Sequence, residues 1–250
     1  MNRIVFTLGV WLFPAACTAL GAAGVFLLRR QARPATRRIL CGMAAGIMLA
    51  ASVWSLLLPA IDRAADQPLP AWIPPAAALV LGAVGLLQLE QAAGALLAGG
   101  EGHGGRTVLA VTLHNLPEGM VTGLAAALAL TGRPDAVSGA LALSLGIGLQ
   151  NIPEGAAVSL PLVHNGRTRG QAFCAGAASG LVEPLGAMMA FVLAEWVGAA
   201  LPWLMSAAAG CMVCVTAQEM IPQAVEGDEP AGVVSIVLGF ALMMALDVAL

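Results

Sequence analysis

The chain has 250 residues, of which 59% are hydrophobic and 10% charged, with a formal net charge of −3. Soluble domains are roughly one quarter charged, so this composition excludes an ordinary water-soluble fold, and so small a net charge gives no argument for nucleic acid as a partner. There is no lysine, all 11 cations being arginine, which excludes Schiff-base catalysis by a side-chain amine.

The apolar run 4–28 is longer than a signal-peptide core and ends in Arg29-Arg30, so it reads as a first membrane span rather than a cleaved leader. Further runs able to cross a hydrocarbon core of about 30 Å follow at 39–60, 72–98, 107–131, 136–163, 170–198, 203–224 and 231–250. The separators 29–38, 62–70, 99–106, 132–135, 164–169 and 226–230 are polar or rich in Gly and Pro, and too short for a soluble domain. The expectation is an all-α integral membrane protein, one domain over 1–250, with eight transmembrane helices in a compact bundle surrounded by lipid.

Arginine gives the orientation. With the N-terminus outside, the loops after the first, third, fifth and seventh spans are cytoplasmic and hold Arg29, Arg30, Arg33, Arg37, Arg38, Arg106, Arg167 and Arg169. The opposite side holds Arg3, Arg63 and Arg133, so both termini are expected outside the cytoplasm.

Cys17, Cys41, Cys174, Cys211 and Cys214 all lie in apolar stretches, which argues against a disulfide framework. Cys211 and Cys214 have CxxC spacing but sit in an Ala/Gly-rich run and read as two small core residues. The 30 glycines include Gly42/Gly46, Gly82/Gly85 and Gly176/Gly180, small faces that let helices approach closely. Asp247, near the end of the last span, is expected at the outer headgroups. His164 is given no role.

Chemistry enters in the fourth and fifth spans. His114-Asn115-Leu116-Pro117-Glu118-Gly119 returns as Gln150-Asn151-Ile152-Pro153-Glu154-Gly155. Polar side chains inside hydrocarbon are costly and normally face a bundle interior or a water-filled path. On a helix His114 and Glu118, four apart, share a face, with Asn115 beside it. Pro117 and Pro153 free the carbonyls of Leu113 and Leu149, so each helix is expected to be kinked and locally broken there. Two such motifs on antiparallel helices would meet near the midplane about an in-plane pseudo-two-fold, giving the bundle inverted pseudo-symmetry. Glu183 before Pro184, and Gln218-Glu219 before Pro222, add acids at similar depth, and divalent cations between such carboxylates would relieve their repulsion. Taken singly, each proline is a kink and each asparagine a helix–helix hydrogen bond; the duplicated pattern is what argues for a metal site.

The paired motifs carry a resemblance to the ZIP (Zrt-, Irt-like) family of divalent metal transporters, in particular its short bacterial GufA-type members, over essentially the whole chain. The resemblance implies a two-metal centre midway along a transport path. His114, Glu118 and Glu154 would surround one metal, with Asn115, Glu154 and Glu183 around its neighbour. Gln150 would stand at the edge of either site, with Asn151 part of the same set and Met48 offering a thioether to the first metal. Gln218 and Glu219 match a cytoplasmic-side position, and Asp62 an acidic one near the outer mouth. Departures from the family pattern are Gln150 and Gln218 where many members carry His, Ser55 where many carry His, and a short loop 99–105 with one His. They make the site harder and richer in oxygen.

The resulting expectation is a multi-pass transporter of the bacterial plasma (inner) membrane. It would carry Zn2+, with Cd2+, Fe2+ and Mn2+ also open, into the cytoplasm past Asp62, through the His114/Glu118/Glu154 centre and out toward Glu219 as one helical bundle shifts against the other. A homodimer is left open. The alternative is a membrane-embedded metalloenzyme that activates water with the same ligands. HExxH, the signature of intramembrane zinc proteases, is absent, and the chain is expected not to be an enzyme.

Overall fold

Backbone amides find no water in hydrocarbon, so a chain this apolar must close its hydrogen bonds within helices or a closed barrel. It uses helices. A computed structural model describes residues 2–27, 34–97, 103–131, 134–164, 166–196, 200–227 and 230–249. Outside these lie Arg29, Arg30, Arg33, Arg133 and residues 99–102 of the short loop, and the side chains of Arg37, Arg106, His114 and His103 are likewise outside the description.

In chain order the helices are α1 (Arg3–Ala22), α2 (Gly24–Leu27), α3 (Pro34–Ala51), α4 (Leu58–Ala64), α5 (Ile73–Leu97), α6 (His103–Leu130), α7 (Pro134–His164), α8 (Arg169–Gly180), α9 (Val182–Trp196), α10 (Leu201–Val215), α11 (Ile221–Ala224) and α12 (Ala231–Ala249). A π-helical turn, Ser52–Leu57, joins α3 to α4, and a second, Thr216–Met220, joins α10 to α11. Among the described residues, seven helical runs are long and apolar enough to cross a membrane: Arg3–Leu27, Pro34–Ala64, Ile73–Ala92, Ala136–Leu160, Arg169–Ala194, Leu201–Ala224 and Ala231–Ala249. α6, with 28 residues, packs among them against α9, α7 and α10. The outward faces are apolar, with Leu81 and Val237 64% and 63% exposed, as suits lipid and not water.

The expected breaks at the hexapeptides are not there. α6 runs unbroken through Pro117 and α7 through Pro153, because one missing N–H removes one bond from a long ladder that its neighbours keep in place. The irregular backbone lies elsewhere. In each π-turn the N–H just after it reaches five residues back, Leu58 to the Val53 carbonyl and Ile221 to that of Thr216, with Pro59 and Pro222 one residue further on. The third break, at Leu181 between α8 and α9, stands just before Glu183 and Pro184.

Two groups of helices emerge. α1, α6, α7, α8 and α9 pack mainly on one another; so do α3, α4, α5, α10, α11 and α12. Within each group, helix pairs cross where a glycine of each meets the other's main chain. Gly21 faces the Ile152 carbonyl and Gly155 that of Thr18 (α1/α7); Gly119 faces Glu183 and Gly186 faces Leu116 (α6/α9). In the other group Gly46 faces Ile236 and Gly239 faces Met43 (α3/α12); Gly82 faces Ala207 and Gly210 faces Leu79 (α5/α10). Such contact replaces the hydrophobic drive that lipid does not supply. Of the glycine pairs read from the sequence, Gly85 faces open space; the partner of Gly82 is Gly210. Each group also holds one edge-to-face aromatic pair, Trp11–Phe191 at 5.3 Å and Trp54–Phe240 at 5.4 Å. Between the groups, Gly146 of α7 faces side chains instead: the Met243 thioether of α12 and Ile47 of α3.

Gly82→Val should therefore force α5 from α10 and cost about 1–3 kcal/mol, whereas Gly85→Val should stay within about 0.5 kcal/mol of the parent. Thermal unfolding in detergent reads the contrast, and equal melting temperatures for the two variants would contradict this packing.

Candidate metal centre

The unbroken helices present the two hexapeptides as matched rows. The second residue of each row is an asparagine that donates to a bracing contact. Asn115 Nδ2 donates to the Ser179 carbonyl at 2.9 Å, in the last turn of α8 where carbonyls have no onward helical partner. Asn151 Nδ2 donates to Glu183 Oε2 at 2.9 Å and leans on the Pro14 carbonyl at 3.3 Å. With both amide nitrogens engaged, Asn115 Oδ1 and Asn151 Oδ1 are left buried and accept no hydrogen bond.

The first residue of the second row, Gln150, donates through Nε2 to Glu118 Oε1 of the first. It bridges α7 to α6. Gln150 Oε1 and Glu118 Oε2 are again buried without a donor. The sixth residues close the rows: Gly119 lets the main chain of Glu183 approach α6, and Gly155 does the same for Thr18 against α7.

Glu183 differs from Glu118. It sits in the first turn of α9, where the helix dipole favours an anion. Both its oxygens accept, Oε1 from Thr18 Oγ1 at 2.9 Å and Oε2 from Asn151. Glu118 interacts electrostatically with Glu154 and Glu183, and Glu154 with Glu219. Among the described residues no group of three or more His, Cys, Asp and Glu side chains is gathered tightly enough to hold a metal alone. Each buried oxygen without a partner costs about 1–3 kcal/mol, and the four that α6 and α7 carry, three amide and one carboxylate, are of the hard type that divalent cations take. The side chain of His114 lies outside the described residues, though its position on α6 is set by the helix.

The remaining candidates fall into place around this cluster. Met48 is buried in α3, its sulfur 3.7 Å from Thr216 Oγ1 and its carbonyl taken by Ser52. Ser55 lies on the first π-turn and Asp62 on α4, and both line a cavity of about 230 Å³ between the two helix groups. Asp247 lines it as well. Instead of reaching headgroups, it turns inward, accepts from Ser55 Oγ at 2.8 Å and keeps Oδ2 buried without a donor. The geometry of the π-turn aims Ser55 at α12, and a straight helical wheel would not have found that contact. Gln218 and Glu219 lie on the second π-turn, where Gln218 Nε2 is 3.4 Å from Glu90 Oε2 of α5. Cys211 keeps its reading as a core residue, its sulfur 3.3 Å from the Gly82 carbonyl, while Cys214 lies 3.9 Å from Gln218 Oε1. Sequence reasoning missed Glu90, an acid within a span and so a flagged residue by type. It also missed Thr18, a small hydroxyl on an apolar helix that carries no signal.

Known proteins resemble this chain over most of its length. The family model described as ZIP zinc transporter matches residues 104–247, from α6 to the last helix. The chain belongs to the ZIP family. It is 34% identical to the zinc transporter GufA of Myxococcus xanthus over 96% of both chains. It is 40% identical to the zinc transporter ZIPB of Bordetella bronchiseptica over 94% of this chain and 78% of that one. Human zinc transporter ZIP11 matches at 35% over 57% of this chain and 42% of its own. All three are named as transporters, and the metalloenzyme alternative is not carried further.

For this ZIP protein, Glu118→Ala should lower the affinity for divalent cation at least about tenfold, while Glu226→Ala, in the exposed turn after α11, leaves it unchanged. Calorimetric titration of the purified protein reads both. Equal affinities would detach the cluster from cation binding.

Proposed function

We propose that the protein carries zinc across the plasma membrane into the cytoplasm through the site built on the two hexapeptides. The observation that carries this reading is the set of buried oxygens of Asn115, Glu118, Gln150 and Asn151 that accept no hydrogen bond. Relatives named as zinc transporters over nearly the whole chain support zinc as the substrate. The route runs from the cavity lined by Asp62, Ser55 and Asp247 to two neighbouring metal positions. His114, Glu118 and Glu154 serve the first, with Met48 beside it; Asn115, Glu154 and Glu183 serve the second, with Gln150 at the edge of either and Asn151 part of the same set. The ion leaves past Glu219 and Gln218. Transfer is a shift of the α1/α6/α7/α8/α9 group against the other, which the side-chain contact of Gly146 on Met243 permits more readily than a main-chain crossing would.

In this reading α6, fourth in chain order, brings the spans to eight, the bundle carries inverted pseudo-symmetry supported by its two proline-flanked π-turns, and both termini face outside. The potential, negative inside, favours inward cation movement. The oxygen-rich donors admit Cd2+, Fe2+ and Mn2+ besides zinc. A pair of chains side by side belongs to the same reading, with apolar faces such as those of Leu81 and Val237 available to lipid or partner.

Radioactive zinc uptake into proteoliposomes is the test. Glu118→Ala or Glu154→Ala should reduce flux at least about tenfold in protein that still folds; parent-like flux in both would end the assignment. Gln150→His should move preference toward zinc over manganese by placing an imidazole against Glu118, and an unchanged ratio would turn Gln150 away from the ion.

The orientation has its own test. A cysteine at Arg167, in the exposed turn before α8, should react with an impermeant thiol reagent only after lysis, and one at Asp66, in the exposed turn after α4, in intact cells. The reverse pattern would invert the transport direction.

A further inference from the structure

Thr18 lies on α1, outside both hexapeptides, and is fully buried. Its hydroxyl has one proton and two acceptors within reach, Glu183 Oε1 at 2.9 Å and the Pro14 carbonyl of its own helix at 3.3 Å. The shorter contact is to the Glu183 carboxyl group. On the other oxygen Asn151 Nδ2, which has two protons, donates to Glu183 at 2.9 Å and also to the Pro14 carbonyl at 3.3 Å. The carboxylate is thus held at both ends by donors from two helices that are themselves locked together. Gly155 admits the Thr18 main chain, and Ser144 and Asn151 of α7 donate to the Val10 and Pro14 carbonyls of α1 at 3.0 and 3.3 Å. The Val10 carbonyl is the one that Pro14 leaves without its helical N–H. From the third side Gly180 presses on Thr18: a Cβ at Gly180 would stand 2.7 Å from Thr18 Cβ and 3.1 Å from Oγ1. Nothing about packing alone requires a hydroxyl here; valine has the same shape.

We propose that Thr18 is a positioning residue for Glu183 and sets which ion the site prefers. The inference rests on the reading of Glu183 as a metal ligand. Hydrogen bonds to a ligating carboxylate fix its orientation and are worth about 10–100-fold in affinity or activity. With Oε1 committed to Thr18 and Oε2 to Asn151, the group meets an ion through the lone pairs that remain, in a direction that the two donors fix. Removal of the Thr18 donor frees Oε1 to swing toward the ion, and chelation by both oxygens suits a larger, more loosely coordinated cation. Thr18 therefore favours zinc over cadmium.

Uptake of zinc and of cadmium into proteoliposomes, each over a range of concentrations, tests this in Thr18→Val, Thr18→Ser and Glu183→Gln. Thr18→Val should raise the KM for zinc about tenfold with maximal rate within about twofold of the parent, and should shift the cadmium-to-zinc preference toward cadmium. Thr18→Ser, which keeps the donor, should restore both. Parent-like KM and preference in Thr18→Val, with Glu183→Gln impaired, would overturn the role of Thr18 and leave the metal site standing. Equal impairment of the valine and serine variants would also overturn it, since shape and not the hydroxyl would then matter. Parent-like transport by Glu183→Gln would remove the ligand itself, and with it the reading on which this inference rests. If Thr18→Val does not insert, Thr18→Ala against Thr18→Ser makes the same comparison.

Discussion

Glu183 takes one hydrogen bond on each carboxylate oxygen, from α1 and from α7, while its own main chain lies against Gly119 of α6. A buried carboxyl group is tolerated only when its oxygens find partners, and finding them fixes the relative height of four helices. Asn115 does the matching work at the end of α8, two residues before the break at Leu181. Because both asparagines spend their N–H groups on these braces, their oxygens have one remaining direction. The donor cluster is thus a by-product of how the helices are fastened.

The same economy shapes the rest of the bundle. Main-chain crossings at paired glycines bind helices inside each group, and side chains meet between groups. Contacts through a thioether such as that of Met243 adapt to a changed neighbour, since methionine turns about three bonds; a carbonyl pressed on a glycine does not. The cluster belongs to one group and the Glu219-bearing π-turn to the other, with Ser55 and Asp247 at the cavity between them. In the proposed transport cycle a shift between groups would change which of these the ion faces while leaving the Asn115, Gln150 and Asn151 contacts intact.

Much of this is legible in the residues. Helix positions follow from the lengths of apolar runs, and the repeated six-residue pattern singles out α6 and α7 because polar groups in lipid need a reason. The errors have physical causes as well. Prolines were expected to break the helices that carry them, but Pro117 and Pro153 are absorbed in long, well-supported ladders, while Pro59 and Pro222 follow widened turns that no helical period predicts. Nearness to the end of the last span points Asp247 at the headgroups, whereas the hydroxyl of Ser55, 192 residues earlier in the chain, decides where it points. Thr18 was invisible because its role exists only when three helices meet.

The reciprocal crossings also constrain how such a chain can change over generations. At an ordinary side-chain contact, a bulky replacement on one helix can be offset by a smaller one on its neighbour. Gly21, Gly119, Gly46 and Gly82 face main-chain carbonyls, which every residue type possesses. No substitution on the partner helix makes room for a lost glycine there. A suppressor of such a mutation has to arise at a distance, by tilting a whole helix, and in the α6/α9 pair that tilt would carry Glu118 and Glu183 apart.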